Sequence, residues 1–365
     1  MEAQTQLKTL RVRVRDKHAN ALARMAFECN QVWNAANAET AEWSNVPIPE
    51  VGWMFFPITA YDLAKQQAAT AKERGFSLHS QTIQEVTEAH AKARKQFKKS
   101  KLRWRISSGS KRSLGWVPFK KGAAKWANGC VRYNGQYFKV FDSYGLSQYD
   151  FRAGSFSEDS RGRWYFNVVV ETKVEQSKGT KAVGIDLGLK TIAACSDGNN
   201  LENARIYRGL EKKLGMAQRA NKKRLVKTIH AQIKNRRNDA IHQFTNRLTK
   251  ENGLIVVGNV SSSKLVKTKM AKSVLDAGWS MLKTQLEHKA MARSVVFVEV
   301  NERYTTQMCS CCGAISVNSP KGMGALGIRE WECSECGALH DRDLNSAINI
   351  LALGQKSLAG GIPVL

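Results

Sequence analysis

KAVGIDLG, residues 181–188, is a short apolar run that ends on an acid, Asp186, with Gly184 and Gly188 flanking it. A run of this length reads as a buried strand. An ionisable group at its end is costly unless it lies at the sheet's open edge or is neutralised by a metal. TIAACSDGNN (191–200) reads as a second strand and turn, and residues 203–250 as a long basic helical pair. GLIVV (253–257) is a further strand, 264–292 is helical, VVFVEV (295–300) is a strand, and DLNSAINILALG (343–354) is a helix closed by Gly354. That order predicts an α/β sheet layered with helices.

Upstream the pattern differs. LKTLRVRV (7–14) alternates like a strand and leads into a helical stretch with Leu22, Met25, Ala26, Cys29 and Val32 or Trp33 on one face. More helix follows through YDLAKQQAATAKERG (61–75) and SQTIQEVTEAHAKARKQFKK (80–99). From residue 113 the segments are short and β-like. CVRYNGQYFKVFD (130–142) carries Asn134-Gly135 between alternating runs, a hairpin signal. RWYFNVVVET (163–172) is another strand. Residues 1–178 are therefore expected to form a small β-barrel with a helical insert at about 18–112, and QSKGTK (176–181) reads as a linker.

The chain has 365 residues, with 57 Lys and Arg against 31 Asp and Glu, a formal net charge of +26. Such an excess favours a polyanionic partner, DNA or RNA. A membrane surface is the rival, but no amphipathic anchor stands out. No apolar run approaches the ~18 residues of a membrane helix, and the first residues lack a signal peptide's apolar core. The expected location is the cytosol.

Of eight cysteines, Cys29, Cys130 and Cys195 sit in core-like segments and read as small buried hydrophobes. The other five crowd into 309–336. CSCCG (309–313) and CSECG (333–337) pair Cys309 with Cys312 and Cys333 with Cys336, each pair followed by Gly. Two such knuckles can close a tetrahedral thiolate cage around zinc, a structural ion because no coordination position stays open. Cys311 is then a spare thiol. HDRDLNSA (340–347) offers Asp341 and Asp343 at a helix start, where Asp also serves as a cap.

The order of these motifs resembles the TnpB family of transposon-encoded, RNA-guided nucleases related to type V CRISPR effectors. GIDLGLKTIAACSDG, YTTQMCSCCG and CSECGALHDRDLNSAINIL carry the likeness. It implies a RuvC-like (RNase H fold) nuclease domain over 179–308 and 338–365, interrupted by a zinc ribbon at 309–337. It also implies that the N-terminal barrel is wedge-type and its insert a recognition module. The implied activity is Mg²⁺-dependent DNA cleavage directed by a guide RNA, with double-stranded target DNA recognised beside a short flanking motif. By the resemblance Asp186 is the first catalytic acid and Asp343 the last, with Asp341 the lesser choice.

The family's middle acid, a Glu, ends the strand occupied here by LIVV. That position is Gly258. Two-metal hydrolysis needs carboxylates to hold both ions, and with Asp186 and Asp343 alone the site would hold metal poorly, so the neighbouring strand is the place to look for a third. VVFVEV should lie parallel to LIVV and open on the same crevice. Just past it stands Glu302, where the family pattern has Pro, and the reading favours Glu302 as the relocated acid. Glu299 lies inside the strand on the face of Val295 and Phe297. The rivals are a nuclease-dead, RNA-guided DNA binder acting as a repressor, and a strand-transfer transposase.

Residues 92–112 hold ten basic residues and no acid, with Phe97 and Trp104 interleaved. Aromatics among cations suit unpaired bases on a tracked backbone. Lys98, Lys99, Lys101, Arg103, Trp104 and Arg105 are the expected nucleic-acid contacts.

Overall fold

The computed structural model describes residues 5–43, 47–48, 52–53, 59–99, 101–174, 176–260, 277–322, 325 and 327–360. The part of the expected 264–292 helix before residue 277 lies outside the described residues. The chain divides into two compact units, one from Thr5 to Lys173 and one from Val174 onward.

In the first unit, β1 (Thr5–Arg13) leads to α1 (Ala19–Trp43), the short pair β2 (Pro47–Ile48) and β3 (Gly52–Trp53), α2 (Ala60–Glu73) and α3 (Ser80–Phe97). Then come β4 (Trp116–Phe119), β5 (Ala124–Ala127), β6 (Cys130–Tyr133), β7 (Gln136–Phe138), β8 (Gly154–Glu158) and β9 (Trp164–Lys173). One antiparallel sheet runs β1-β9-β8-β4 and a second β5-β6-β7. The alternation along β9 puts Trp164, Phe166, Val168 and Val170 inside, against Phe119, Tyr133, Phe138 and Phe156. Leu22, Met25, Ala26, Cys29 and Val32 of α1 enter the same core. Asn134 and Gly135 both take positive φ, the conformation a two-residue turn between β6 and β7 requires.

The second unit starts with β10 (Lys181–Asp186), β11 (Thr191–Cys195), β12 (Leu201–Glu202), α4 (Ile206–Arg219) and α5 (Lys223–Glu251). It continues with β13 (Asn252–Gly258), α6 (Trp279–Ala292), β14 (Val296–Val300), β15 (Glu330–Glu332), β16 (Leu339–Asp341) and α7 (Arg342–Ala359). The sheet order is β12-β11-β10-β13-β14, with β10, β13 and β14 parallel. Strand parity sorts the faces. Val183, Ile185, Ile255 and Val257 pack on Phe244 and Leu248 of α5 and Leu282 and Leu286 of α6. Val256, Val298 and Val300 face the other way, onto Ile350 of α7.

Two glycines set how closely α7 docks. A Cβ on Gly184 would strike the α7 backbone, 2.7 Å from Leu351 N, and one on Gly354 would come within 2.6 Å of Val256 Cγ1. With a bare backbone at both points, α7 lies directly across the ends of β10 and β13. Its first turn therefore reaches Asp186.

Candidate metal and acid sites

The two cysteine knuckles are built alike. Cys309 N donates to Ala314 O and Gly313 N to Cys309 O, both at 2.9 Å; Cys333 N donates to Ala338 O at 3.0 Å and Gly337 N to Cys333 O at 2.8 Å. Gly313 and Gly337 both sit at positive φ, which the tight turn after each second cysteine demands. The four sulfurs of Cys309, Cys312, Cys333 and Cys336 all lie within 4.8 Å of one another. Four cysteines held so close could hold a zinc ion. Cys311 is exposed, and Cys29, Cys130 and Cys195 are buried. His340, which the sequence did not single out, lies with its ring tilted against Trp331, centroids 4.8 Å apart, and places Nε2 3.0 Å from Cys309 Sγ.

Asp186 and Glu302 stand at the C-terminal ends of parallel strands. Asp186 ends β10 on the α7 face, in step with Gly184. The register pairs Ile185 with Val257, which sets Asp186 level with Gly258, and pairs Gly258 with Val300. Glu302 stands two residues past β14. The chain turns there: Asn301 Oδ1 accepts from Arg303 N at 3.0 Å, and Tyr304 takes φ 69°. An ideal Cβ on Gly258 would lie 2.5 Å from Glu302 Oε2 and 3.2 Å from Glu302 Cβ. The Glu302 side chain fills the space that any side chain at 258 would need. Its Oε2 is buried with no hydrogen-bond partner.

Electrostatics ties the acids together. Burial raises the Glu302 carboxyl to about 7, the Asp186 charge adds to the rise, and Lys283 opposes it. Burial likewise raises Asp186 to about 6, with Asp343 pushing further up and the Ser346 hydroxyl and Arg342 pulling down. Asp343, in the first turn of α7, accepts from Arg329 Nη1 through both carboxylate oxygens at 3.0 Å. Asp341 is the α7 cap, accepting from Leu344 N at 2.9 Å. Glu299 pairs in register with Val257, on the face opposite Asp186, and binds Lys283 at 2.8 Å.

Sequence reasoning missed Arg329, Ser346, Asn345 and Asn349. Arg329 lies 14 residues before Asp343 and is brought beside it by the β15–β16 pairing of Glu330 with Asp341. No local pattern marks that. Ser346 could have been found, since it is one turn after Asp343 on the same helical stripe.

In the first unit, Lys98, Lys99, Lys101, Arg103 and Trp104 are exposed, and Lys101 Nζ lies 5.3 Å from the Trp104 ring. Arg105 points the other way. Its Nε donates to Asn30 Oδ1 at 2.7 Å, and its guanidinium lies between the Trp33 and Trp116 rings at 5.6 and 5.5 Å. Asn34 and Asn37 of α1 each donate to and accept from the backbone, of Arg105 and Leu102 respectively. The basic segment is thus laced along α1 as an extended ribbon.

Two family models match the chain. Residues 165–269 match "Probable transposase" (OrfB_IS605), and residues 279–350 match "Cas12f1-like, TNB domain". A Streptomyces pristinaespiralis protein named "Putative RNA-guided DNA endonuclease" is 34% identical over 220 residues, 56% of this chain and 53% of its own length. Escherichia coli K12 InsQ, of the same name, is 28% identical over 232 residues, 55% of this chain and 56% of its own. The chain spans little more than half the length of these relatives. In fold it is similar to a chain of the Cas12f1–sgRNA–target DNA complex solved by cryo-EM, with TM-score 0.56 and 11% identity over 95% of this chain and 98% of that one. The TnpB and Cas12f1 likeness thus rests on the stretches whose motifs imply it.

Proposed function

We propose that this chain is an RNA-guided DNA endonuclease of the TnpB type whose middle catalytic acid is Glu302. The single observation that carries the relocation is Glu302 Oε2, buried, without a partner, and occupying the place a side chain at Gly258 would take. The second unit is read as a RuvC-like nuclease domain interrupted by a zinc ribbon, and the first as a wedge-type barrel with a helical recognition insert. Guide RNA and double-stranded DNA with a short flanking motif are the proposed partners. Among the described residues no helix is long and apolar enough to cross a membrane, and a cytoplasmic site of action follows from the partners.

The residues fit divalent cations. Burial raises Asp186 to about 6 and Glu302 to about 7, Asp343 adds to the first rise and Asp186 to the second, and one Glu302 oxygen has no protein donor. Asp186, Glu302 and Asp343 would hold two Mg²⁺, which when bound activate the attacking water and stabilise the leaving oxygen. Asp186 links the other two electrostatically: Asp343 raises its carboxyl, and its charge raises that of Glu302. Arg329 holds Asp343 in place and offsets its charge. Ser346 supports the Asp186 carboxylate from α7. Hydrolysis adds water across the P–O3′ bond, leaving a 5′-phosphate and a 3′-hydroxyl. Cys309, Cys312, Cys333 and Cys336 would hold one structural zinc.

The test is cleavage of a guide-matched plasmid by the protein with its co-purified RNA. Asp186→Ala and Glu302→Ala should both abolish cutting and leave guided DNA binding intact, while Glu299→Ala cuts. Guided binding without any cutting by the wild type, in Mg²⁺ or Mn²⁺, would make the chain a nuclease-dead binder instead.

A further inference from the structure

An acid on a strand is held by the sheet's own hydrogen bonds. Glu302 is on a turn, so something else must fix it. The turn is gripped by one helix. Thr305 Oγ1 donates to Glu302 O at 2.8 Å and lies 2.9 Å from Ser346 Oγ, whose single proton can go either to Thr305 Oγ1 or to the adjoining Asp186 carboxylate. Asn349 Nδ2 donates to Thr305 O at 2.9 Å and to Met308 O at 2.6 Å. Asn345 Nδ2 donates to Met308 O at 2.8 Å, while its Oδ1 accepts from Ser310 N at 2.8 Å, inside the first cysteine knuckle.

These side chains are sealed from solvent: Thr305 is 1% exposed, Ser346 0%, Asn345 1% and Asn349 4%. On the sheet-facing side of an amphipathic helix such positions are ordinarily apolar. A buried polar set is costly unless every member is paired, and then it specifies one geometry. Here the geometry specified is that of residues 302–310 relative to the helix bearing Asp343.

We propose that Asn345, Ser346 and Asn349, with Thr305, are positioning residues that clamp the loop-borne Glu302 beside Asp186. They supply the rigidity that strand pairing would give an acid at residue 258. The proposal rests on the reading of Glu302 as a metal-holding acid. It adds that α7 sets the position of two of the three acids, one directly and one through the turn.

The deciding variants are Thr305→Val, which keeps shape and removes a hydroxyl, and Ser346→Ala. Each is made in the full, zinc-loaded chain, and binding of Mn²⁺ alone is followed by electron paramagnetic resonance. Loss of a partner behind a metal ligand costs about 10- to 100-fold in affinity. Each single change should therefore weaken Mn²⁺ binding about tenfold, with zinc content and RNA binding unchanged. The double variant should be little weaker than either single one, because both break the same chain of hydroxyls. A merely structural role would lower the melting temperature and leave Mn²⁺ affinity alone. Unchanged affinity in both single variants, or fully additive losses, would overturn the clamp. Glu302→Ala serves as the control on the underlying reading: wild-type Mn²⁺ affinity in that protein would overturn the assignment of Glu302 itself, and a loss there with no effect at Thr305 or Ser346 would overturn only the clamp.

Discussion

The cysteine cage and the acid cluster hang on the same helix, yet they are specified in opposite ways. Each cysteine knuckle is a local object: two thiols, a glycine at positive φ and two backbone hydrogen bonds within six residues. The acids come from three distant segments, 186, 302 and 343, and depend on a parallel register, on two glycines that let α7 approach and on the buried hydrogen bonds from α7 to the Glu302 turn. A local site tolerates little change in sequence. A site built from afar can exchange one contributor for another, provided that the replacement enters the same space. The exchange proposed between Gly258 and Glu302 meets that condition, since the Glu302 side chain occupies the space a side chain at 258 would need.

The largest expected effect separates the two regions. Cys333→Ser should lower the zinc content from about one per chain and reduce solubility, because structural zinc contributes directly to folding. Metal analysis by mass spectrometry checks it, and full retention of zinc would remove the cage assignment. Asp186→Ala should abolish cleavage and keep the zinc.

The acid cluster should also carry a pH signature of its own. Glu302 and Asp186 have folded-state values raised to about 7 and about 6, above those of free carboxylates. A group with a raised value is protonated more readily when folded, so its contribution to stability is present at low pH and is lost as pH rises through the folded value. Melting of the Mg²⁺-free protein should accordingly fall between about pH 4.5 and pH 7 for Glu302. Glu302→Gln should flatten that fall. Added Mg²⁺ should raise the melting temperature more at pH 7.5 than at pH 5.5, since metal binding needs the ionised form.

The cage was fully legible in the sequence, because spacing encodes it. Asp186 and the candidacy of Glu302 were legible through the family resemblance, which supplied the parallel pairing that the apolar runs alone do not fix. The parity that turns Glu299 toward Lys283 followed from the same alternation. What stayed hidden depends on packing. Nothing in the order of residues shows that Arg329 meets Asp343, or that Asn345 and Asn349 serve the backbone of the Glu302 turn. The basic ribbon was legible as charge, but not in its internal division of labour, since only three dimensions show Arg105 facing Trp33 and Trp116.

Smaller effects test that division. Neutralising Lys98, Lys99, Lys101 and Arg103 together should weaken RNA or DNA binding and flatten its salt dependence, by about 0.7 to 0.9 in slope for each phosphate left without its cation. Arg105→Gln should leave the slope nearly unchanged and destabilise the first unit by about 1 to 3 kcal/mol through the missing charged hydrogen bonds. Urea titration measures that difference. Asp341→Ala should cost about 1 kcal/mol by removing a helix cap, with cleavage retained.

If one carboxylate has moved from residue 258 to residue 302, swapping it back should restore the site. Cleavage of one guide-matched plasmid is compared for the wild type, Glu302→Gly, and the double change Gly258→Glu with Glu302→Gly, which clears the space a side chain at 258 needs. The wild type should cut, Glu302→Gly should not, and the double variant should cut again. Wild-type cleavage by Glu302→Gly alone would contradict the relocation.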